Sequence, residues 1–237
     1  MDNSQINQDD INKALWAACD SFRGTVSADT YKDFILTMLF LKYLSDVWQD
    51  HYENYQTEYG DEPELILELM NNERFNLPEI SLKGDAGEVT DTYRADFYSL
   101  YERRHTPGNG ERFDMVLHAI EEANGNKLNN VFQDISFNTN KLGDEKAKNE
   151  VLRFLLEDFA KPELNLKPSR VGELDIIGNS YEYLIEEFAA AGGKKAGEFY
   201  TPPQVSSLMA ILLAPKEGDS ICDPACGSGS LLMKCGR

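Results

Sequence analysis

"SICDPACGSGSLL", Ser220 to Leu232, decides how this chain is read, because it passes from a short apolar run through a glycine-rich loop into an apolar segment. The pattern predicts strand, tight loop and helix. Glycines at 227 and 229 permit close approach of a ligand to the backbone, and the following helix N-terminus offers unpaired N–H groups to an anionic ligand end. Asp223, at the tip of the predicted strand "DSICD" (Asp219 to Asp223), can accept a hydrogen bond from a ligand amine. A P-loop is excluded because no Gly-Lys-Ser/Thr closes the loop. The dinucleotide fingerprint is incomplete because "GSGSLL" lacks its third glycine.

About twenty residues upstream stands "GEFYTPPQV", Gly197 to Val205. Thr201 followed by Pro202 at the first helical position and Gln204 at the third predicts a capping box, with Val205, Leu208, Met209 and Leu212 at helical spacing beyond it. Phe199 and Tyr200 are thereby held just before a fixed helix N-terminus. Two readings stand for this entry: a hydrophobic staple with a surface turn, or one wall of a ligand site.

Working back from these loops, helical periodicity dominates before residue 190. "DDINKALWAACDSF" places Ile11, Leu15, Ala18 and Phe22 on one stripe, with Asp9 or Asp10 as candidate cap. Ser27 to Tyr59 predicts a central helix, apolar all round its middle and stopped at Gly60. Further helices are predicted over Glu62–Asn72, Asp91–Arg104, Glu111–Ala123, Asp144–Ala160 and Gly172–Ala191. "KPELNLKPSRVG", Lys161 to Gly172, carries two prolines and reads as a connection between layers or domains. The expectation is an all-α region leading into the first strand of an α/β domain.

Composition narrows the function. The 237 residues include 12 Phe and 11 Tyr, enough for a sizeable core. A formal net charge of −18 argues against wrapping a polyphosphate backbone by net electrostatics, so a nucleic-acid role requires a local patch or a partner. Four cysteines (Cys19, Cys222, Cys226, Cys235), with no secretory leader, read as reduced thiols of a cytoplasmic protein. The most apolar run, "FILTMLFLKYL" (Phe34 to Leu44), is too short for a membrane span and contains Lys42. His51, His105 and His118 have no ligand spacing, so no metal site is expected. "ERRH" (Glu102 to His105), with Lys194 and Lys195, is a rare basic cluster, read either as a solvated helix end or as a phosphate contact.

"DPACGSG" (Asp223 to Gly229) resembles motif I of S-adenosylmethionine-dependent methyltransferases, and "GEFYTP" (Gly197 to Pro202) resembles the motif X that precedes it in amino-methylating DNA methyltransferases. In this order, behind a long helical region, the pair resembles the modification subunit of type I restriction-modification systems. "ALWAACDSFRGTVSADTYKDFILTMLFLKYLSD" (Ala14 to Asp46) resembles that subunit's helical N-terminal domain. The resemblance implies a mainly α N-terminal domain over residues 1–165, followed by the start of an α/β, Rossmann-like methyltransferase domain over 166–237. It implies S-adenosyl-L-methionine as cofactor, with Asp223, Pro224, Gly227, Ser228 and Gly229 wrapping its methionine part. Glu198, Phe199, Tyr200, Thr201, Pro202 and Pro203 would close the other side.

The implied reaction is methyl transfer to adenine N6 of an extruded DNA base. The family's catalytic Asn/Asp-Pro-Pro-Tyr/Phe does not occur here, and "TPPQ" (Thr201 to Gln204) lacks its flanking residues. The expectation is therefore the N-terminal part of a longer subunit, inactive alone, whose partners are a DNA-recognition subunit, a second modification subunit, a restriction subunit and double-stranded DNA. The competing reading is a non-catalytic helical interaction module. The acidic surface is then either a solvated face or part of a subunit interface.

Overall fold

The computed structural model describes residues 7–22, 28–83, 87–132, 134–172, 176–192, 201–226 and 229–236. Helix α1 (Gln8–Ala18) starts at Asn7, whose side chain accepts the Asp10 N–H at 2.9 Å; Asp9 and Asp10 occupy the first turn instead of the cap. Both acids still face the positive end of the helix dipole. Ile11, Leu15 and Ala18 are fully buried, as their spacing requires.

Helix α2 (Ala28–Tyr59) is the axis of the molecule. Phe34, Ile35, Met38, Leu39, Leu41 and Leu44 are buried, covering more than one face, so neighbours pack on several sides. Gly60 follows it without a left-handed φ; a Cβ there would lie 2.8 Å from the Gln56 carbonyl oxygen. The stop therefore depends on close backbone approach. Helix α3 (Pro63–Asn71) packs back on α2 through Ile66 and Met70.

The segment expected as one helix over Asp91–Arg104 is divided. An antiparallel hairpin, β1 (Glu79–Lys83) and β2 (Val89–Arg94), pairs Ile80 with Tyr93 and Ser81 with Thr92, and helix α4 (Phe97–Glu102) follows. The break has a local cause. Asp96 accepts the Ser99 N–H at 2.7 Å and caps a new helix, while Tyr93 is buried and alternates with exposed threonines.

Helices α5 (Asn109–Ala123), α6 (Gly125–Leu128) and α7 (Glu145–Phe159) complete the body. Asp114 on α5 accepts the Phe137 N–H at 2.7 Å and the Ser136 hydroxyl at 2.6 Å, which directs the Phe137 ring inward. Phe137 stacks on Phe113 with ring centroids 4.5 Å apart and meets Phe34 at 5.0 Å; Phe34 stacks on Phe22 at 5.9 Å. This aromatic chain joins α5, the 137 loop, α2 and the end of α1.

After α7, helix α8 (Pro168–Val171) sits in the connector and leads to α9 (Ile176–Gly192). The connector is no free linker, because Leu164, Leu166 and Val171 are buried. Helix α9 packs on α1 and α2, with Phe188 set between Trp16 (5.8 Å) and Tyr31 (5.6 Å). Helices α10 (Pro203–Leu213) and α11 (Ser230–Cys235) pack on each other. The strand expected at Asp219–Asp223 is not formed: among the described residues the sheet has two strands, β1 and β2, and nothing pairs with this segment. An isolated parallel strand has no ladder to stabilise it.

Candidate functional site

Of the residues expected to close one side of the pocket, Glu198, Phe199 and Tyr200 lie outside the described residues, as do Lys194 and Lys195. Thr201 is half-buried and Pro202 exposed. Pro202 itself is the N-cap of α10, in an extended conformation (φ −52°, ψ 141°), and no side chain caps the helix. Pro203 therefore occupies the first helical position. The helix starts one residue later than the capping box requires, so the Thr201 hydroxyl stands one position too early to cap it. The Pro202 carbonyl accepts the N–H groups of Val205 (2.9 Å) and Ser206 (3.1 Å) instead.

The apolar residues of α10 do not point into a core. Ile211 is 73% and Leu212 75% exposed, and Val205, Leu208, Met209 and Leu213 are exposed beside them. Ser206 and Ala210 are the buried positions of this helix. The chain leaves α10 through Ala214, a non-glycine residue at φ 48°.

In the glycine loop the Asp223 carboxylate accepts the Ala225 N–H at 3.0 Å, which folds the chain back on itself after Pro224. The Gly229 N–H donates to the Cys226 carbonyl at 2.7 Å, and Gly229 (φ 75°) is the N-cap of α11. A Cβ on Gly229 would meet no atom within 4 Å, so space is open beside the backbone. Gly227 and Ser228 lie outside the described residues. Lys234 on α11 reaches Glu182 on α9 at 3.0 Å, anchoring the loop's helix to the helical body.

The remaining candidates separate clearly. Arg103 forms a fork on Asp91 (3.0 and 3.2 Å) over the Tyr93 ring, and Arg104 reaches Glu157 at 3.4 Å over the Tyr101 ring. Both arginines thus brace α4 against its neighbours. His51 Nδ1 lies 2.8 Å from Glu73, and His118 is exposed. Among the described residues no group of His, Cys, Asp or Glu could hold a metal ion, and no helix is long and apolar enough to cross a membrane.

The sequence reading missed a polar ladder on α2, buried at Asp46 and Asp50 and exposed at Glu53. Asp46 pairs with Lys42, accepts the Tyr98 hydroxyl, and accepts the Leu166 N–H at 2.7 Å. One turn on, Asp50 accepts the Ser169 N–H at 2.9 Å, and Glu53 pairs with Lys167 at 2.6 Å. Burial pushes the Lys42 ammonium below its ordinary range against the pull of the Asp46 charge, and burial followed by the same charge pushes the Tyr98 hydroxyl up. The spacing of Asp46, Asp50 and Glu53 on one face of an apolar helix was the available signal.

A helical body whose connector is held on its central helix is followed by a glycine-rich turn at the head of α11, the order of parts expected for the N-terminal portion of a methylase subunit. Residues 11–159 match the HsdM N-terminal domain family and residues 172–237 match the N-6 DNA Methylase family, so the chain belongs to the HsdM family. Its relatives are type I restriction enzyme methylase subunits, and it covers the N-terminal part of that family. It is 29% identical to the Type I restriction enzyme MpnII methylase subunit of Mycoplasma pneumoniae, over 94% of this chain and 43% of that protein. It is also 29% identical to the MjaVIII methylase subunit of Methanocaldococcus jannaschii, over 97% of this chain and 36% of that one. The crystal structure of a type I restriction-modification system methyltransferase subunit from Streptococcus thermophilus superposes with a TM-score of 0.71 at 28% identity, over 97% of this chain and 49% of that chain. The chain thus spans less than half the length of these relatives.

Proposed function

We propose that this chain is the front part of a DNA adenine-N6 methyltransferase that uses S-adenosyl-L-methionine within a type I restriction-modification complex. The observation that carries the reading is the turn at Asp223–Ala225 with the left-handed Gly229, open beside its backbone, following the helical body in the chain. Residues 1–165 form the helical domain in this reading, and 166–237 begin an α/β, Rossmann-like catalytic domain. The DSICD segment becomes its first strand when neighbouring strands are present to pair with it.

Bound there, the cofactor would supply an activated methyl group. The residues fit such a ligand on the loop side: Asp223 offers a carboxylate acceptor, and Gly229 lets a ligand approach the backbone beside the start of α11. By the resemblance, Pro224, Gly227 and Ser228 would complete that wall, and Glu198, Phe199, Tyr200, Thr201, Pro202 and Pro203 would form the opposite one. In this reading the remaining walls of the pocket come from elsewhere in the complete subunit.

The 237 residues alone carry no methyl transfer in this reading, since nothing in them matches the family's target-base tetrapeptide. Partners are a DNA-recognition subunit, a second modification subunit, a restriction subunit and double-stranded DNA, met in the cytoplasm. The test is transfer of labelled methyl groups to unmodified DNA by the complete subunit with its recognition partner, compared with this chain alone. Label in adenine N6 from the complete assembly and none from the chain is expected; label in another base, or none from the assembly, overturns the reading.

A further inference from the structure

A cleft of about 500 Å3 opens between α2, the loop around Val131 to Ile135, and α9. Its floor is apolar, formed by Leu36, Leu39, Phe40, Phe132, Ile135 and Ile177. Four polar side chains stand around that floor: Asp33, Thr37, Asp134 and Tyr181. Among the described residues none of these four side chains hydrogen-bonds to another group of the protein. Burial pushes the Tyr181 hydroxyl above its ordinary range and the Asp33 charge adds to the shift, while Lys32 opposes it. Val131, on the rim, is 51% exposed.

An apolar floor with a few convergent polar groups that the fold itself does not use is the ordinary character of a recognition site. The charges select the occupant. Two exposed carboxylates flank the cleft in a chain of net charge −18, so the complementary surface is basic. The cleft also spans both matched regions, since Leu36 and Phe132 belong to the first and Ile177 and Tyr181 to the second. An occupant would therefore fasten the helical body to the helix that leads into the motif loops.

We propose that this cleft docks a segment of another protein chain that inserts one large apolar side chain over Leu36 and Phe40 and sets an adjacent Arg or Lys between Asp33 and Asp134. The inference rests on the reading that the protein works inside a multisubunit complex, and the recognition subunit is the candidate bearer of the segment. Electrostatic steering by the carboxylates speeds encounter, and the apolar anchor slows release.

The test uses the complete methylase subunit and its purified recognition subunit. Asp33→Lys with Asp134→Lys, and separately Val131→Glu, alter exposed positions and leave the thermal unfolding transition in place. Each is expected to weaken assembly by about tenfold or more, and the double reversal is expected to flatten its dependence on salt. A photo-crosslinker at Val131 is expected to capture a recognition-subunit segment in which a large apolar residue adjoins Arg or Lys. Assembly unaffected by both variants overturns the docking, as does capture of a second methylase subunit instead. Failure of the unaltered subunits to assemble overturns the functional reading, and the docking with it.

Discussion

The Asp46 carboxylate accepts the backbone N–H of Leu166 at 2.7 Å across 120 residues of sequence, tying the centre of α2 to the connector that leads into α9. The same carboxylate holds the Lys42 ammonium, whose side chain is 4% exposed. A buried charge is tolerable only while paired, and here the pair also fixes the path of the backbone between the two matched regions.

Asp46→Ala is expected to cost about 3–5 kcal/mol, because it leaves Lys42 buried without a counter-charge and releases the Leu166 N–H. The pair of changes Asp46→Leu with Lys42→Met is expected to recover much of that loss. Denaturant unfolding measures both. A loss below about 1 kcal/mol for the single change would show that the ladder is not structural.

Glu73 provides a pH-dependent bond between α2 and the turn after α3. Burial raises its carboxyl, but hydrogen bonds from Tyr55 and His51 outweigh burial and leave it below the ordinary value of 4.5. A carboxylate depressed in the folded state stabilises above its unfolded value and loses that contribution as pH falls through the folded one. The stability gap between the native protein and Glu73→Gln is therefore expected to close as pH falls from about 5 towards about 3. Denaturant unfolding across that range checks the sign; a gap that does not change with pH contradicts it.

How much of this was legible follows from where burial is one-sided. Helices α1, α2, α5 and α7 were readable from Ile11, Leu15, Phe34, Phe113, Leu152 and their neighbours, which are buried at helical spacing. The hairpin was not, because β1 has no fully buried residue and β2 has Tyr93, too little alternation to compete with the helical reading of Asp91–Arg104. The DSICD strand was legible as a pattern, yet a strand exists through its neighbours and none is present among the described residues. The candidate loop was legible from residue types at fixed spacing. The exposure of α10 was not, since periodicity marks an apolar face without saying what covers it.

Two glycines with opposite surroundings test the packing. A Cβ at Gly110 would lie 2.7 Å from the Phe137 carbonyl oxygen and 2.9 Å from Asn138 Cα, where α5 meets the loop that delivers Phe137. Gly110→Ala is expected to cost about 1–3 kcal/mol. Gly125 in α6 has no atom within 4 Å of such a Cβ and no left-handed φ, so Gly125→Ala is expected to stabilise by up to about 1 kcal/mol. Thermal or denaturant unfolding of the two variants should move in opposite directions.

The uncovered face of α10 predicts behaviour in solution. With Leu208 at 55%, Ile211 at 73% and Leu212 at 75% exposure, the chain presents a contiguous apolar surface. Ile211→Lys with Leu212→Lys is expected to lower binding of an apolar dye and self-association in sedimentation, while unfolding free energy changes by no more than about 0.5 kcal/mol. A large loss of stability would mean that α10 is buried in solution against something the fold does not show.

The glycine loop allows the sharpest separation of ligand binding from folding. Gly229 holds φ 75° at the start of α11, and Gly218 holds φ 89° in the turn after α10; neither would bring a Cβ within 4 Å of another atom. A β-branched residue at either position therefore meets the same backbone strain, about 1–2 kcal/mol, without a packing clash. They differ in place: Gly229 belongs to the wall proposed to hold the cofactor, whereas Gly218 lies in the turn that precedes DSICD. In the complete subunit, Gly229→Val is expected to abolish S-adenosylmethionine binding by calorimetry, and Gly218→Val to leave it within about twofold, with helical circular dichroism unchanged in both. Gly229→Ala should fall between, since its smaller side chain still penalises positive φ but blocks less of the approach. Equal affinities for Gly229→Val and the unaltered protein would mean that the ligand does not approach this backbone, and the loop would then be a structural turn at the head of α11.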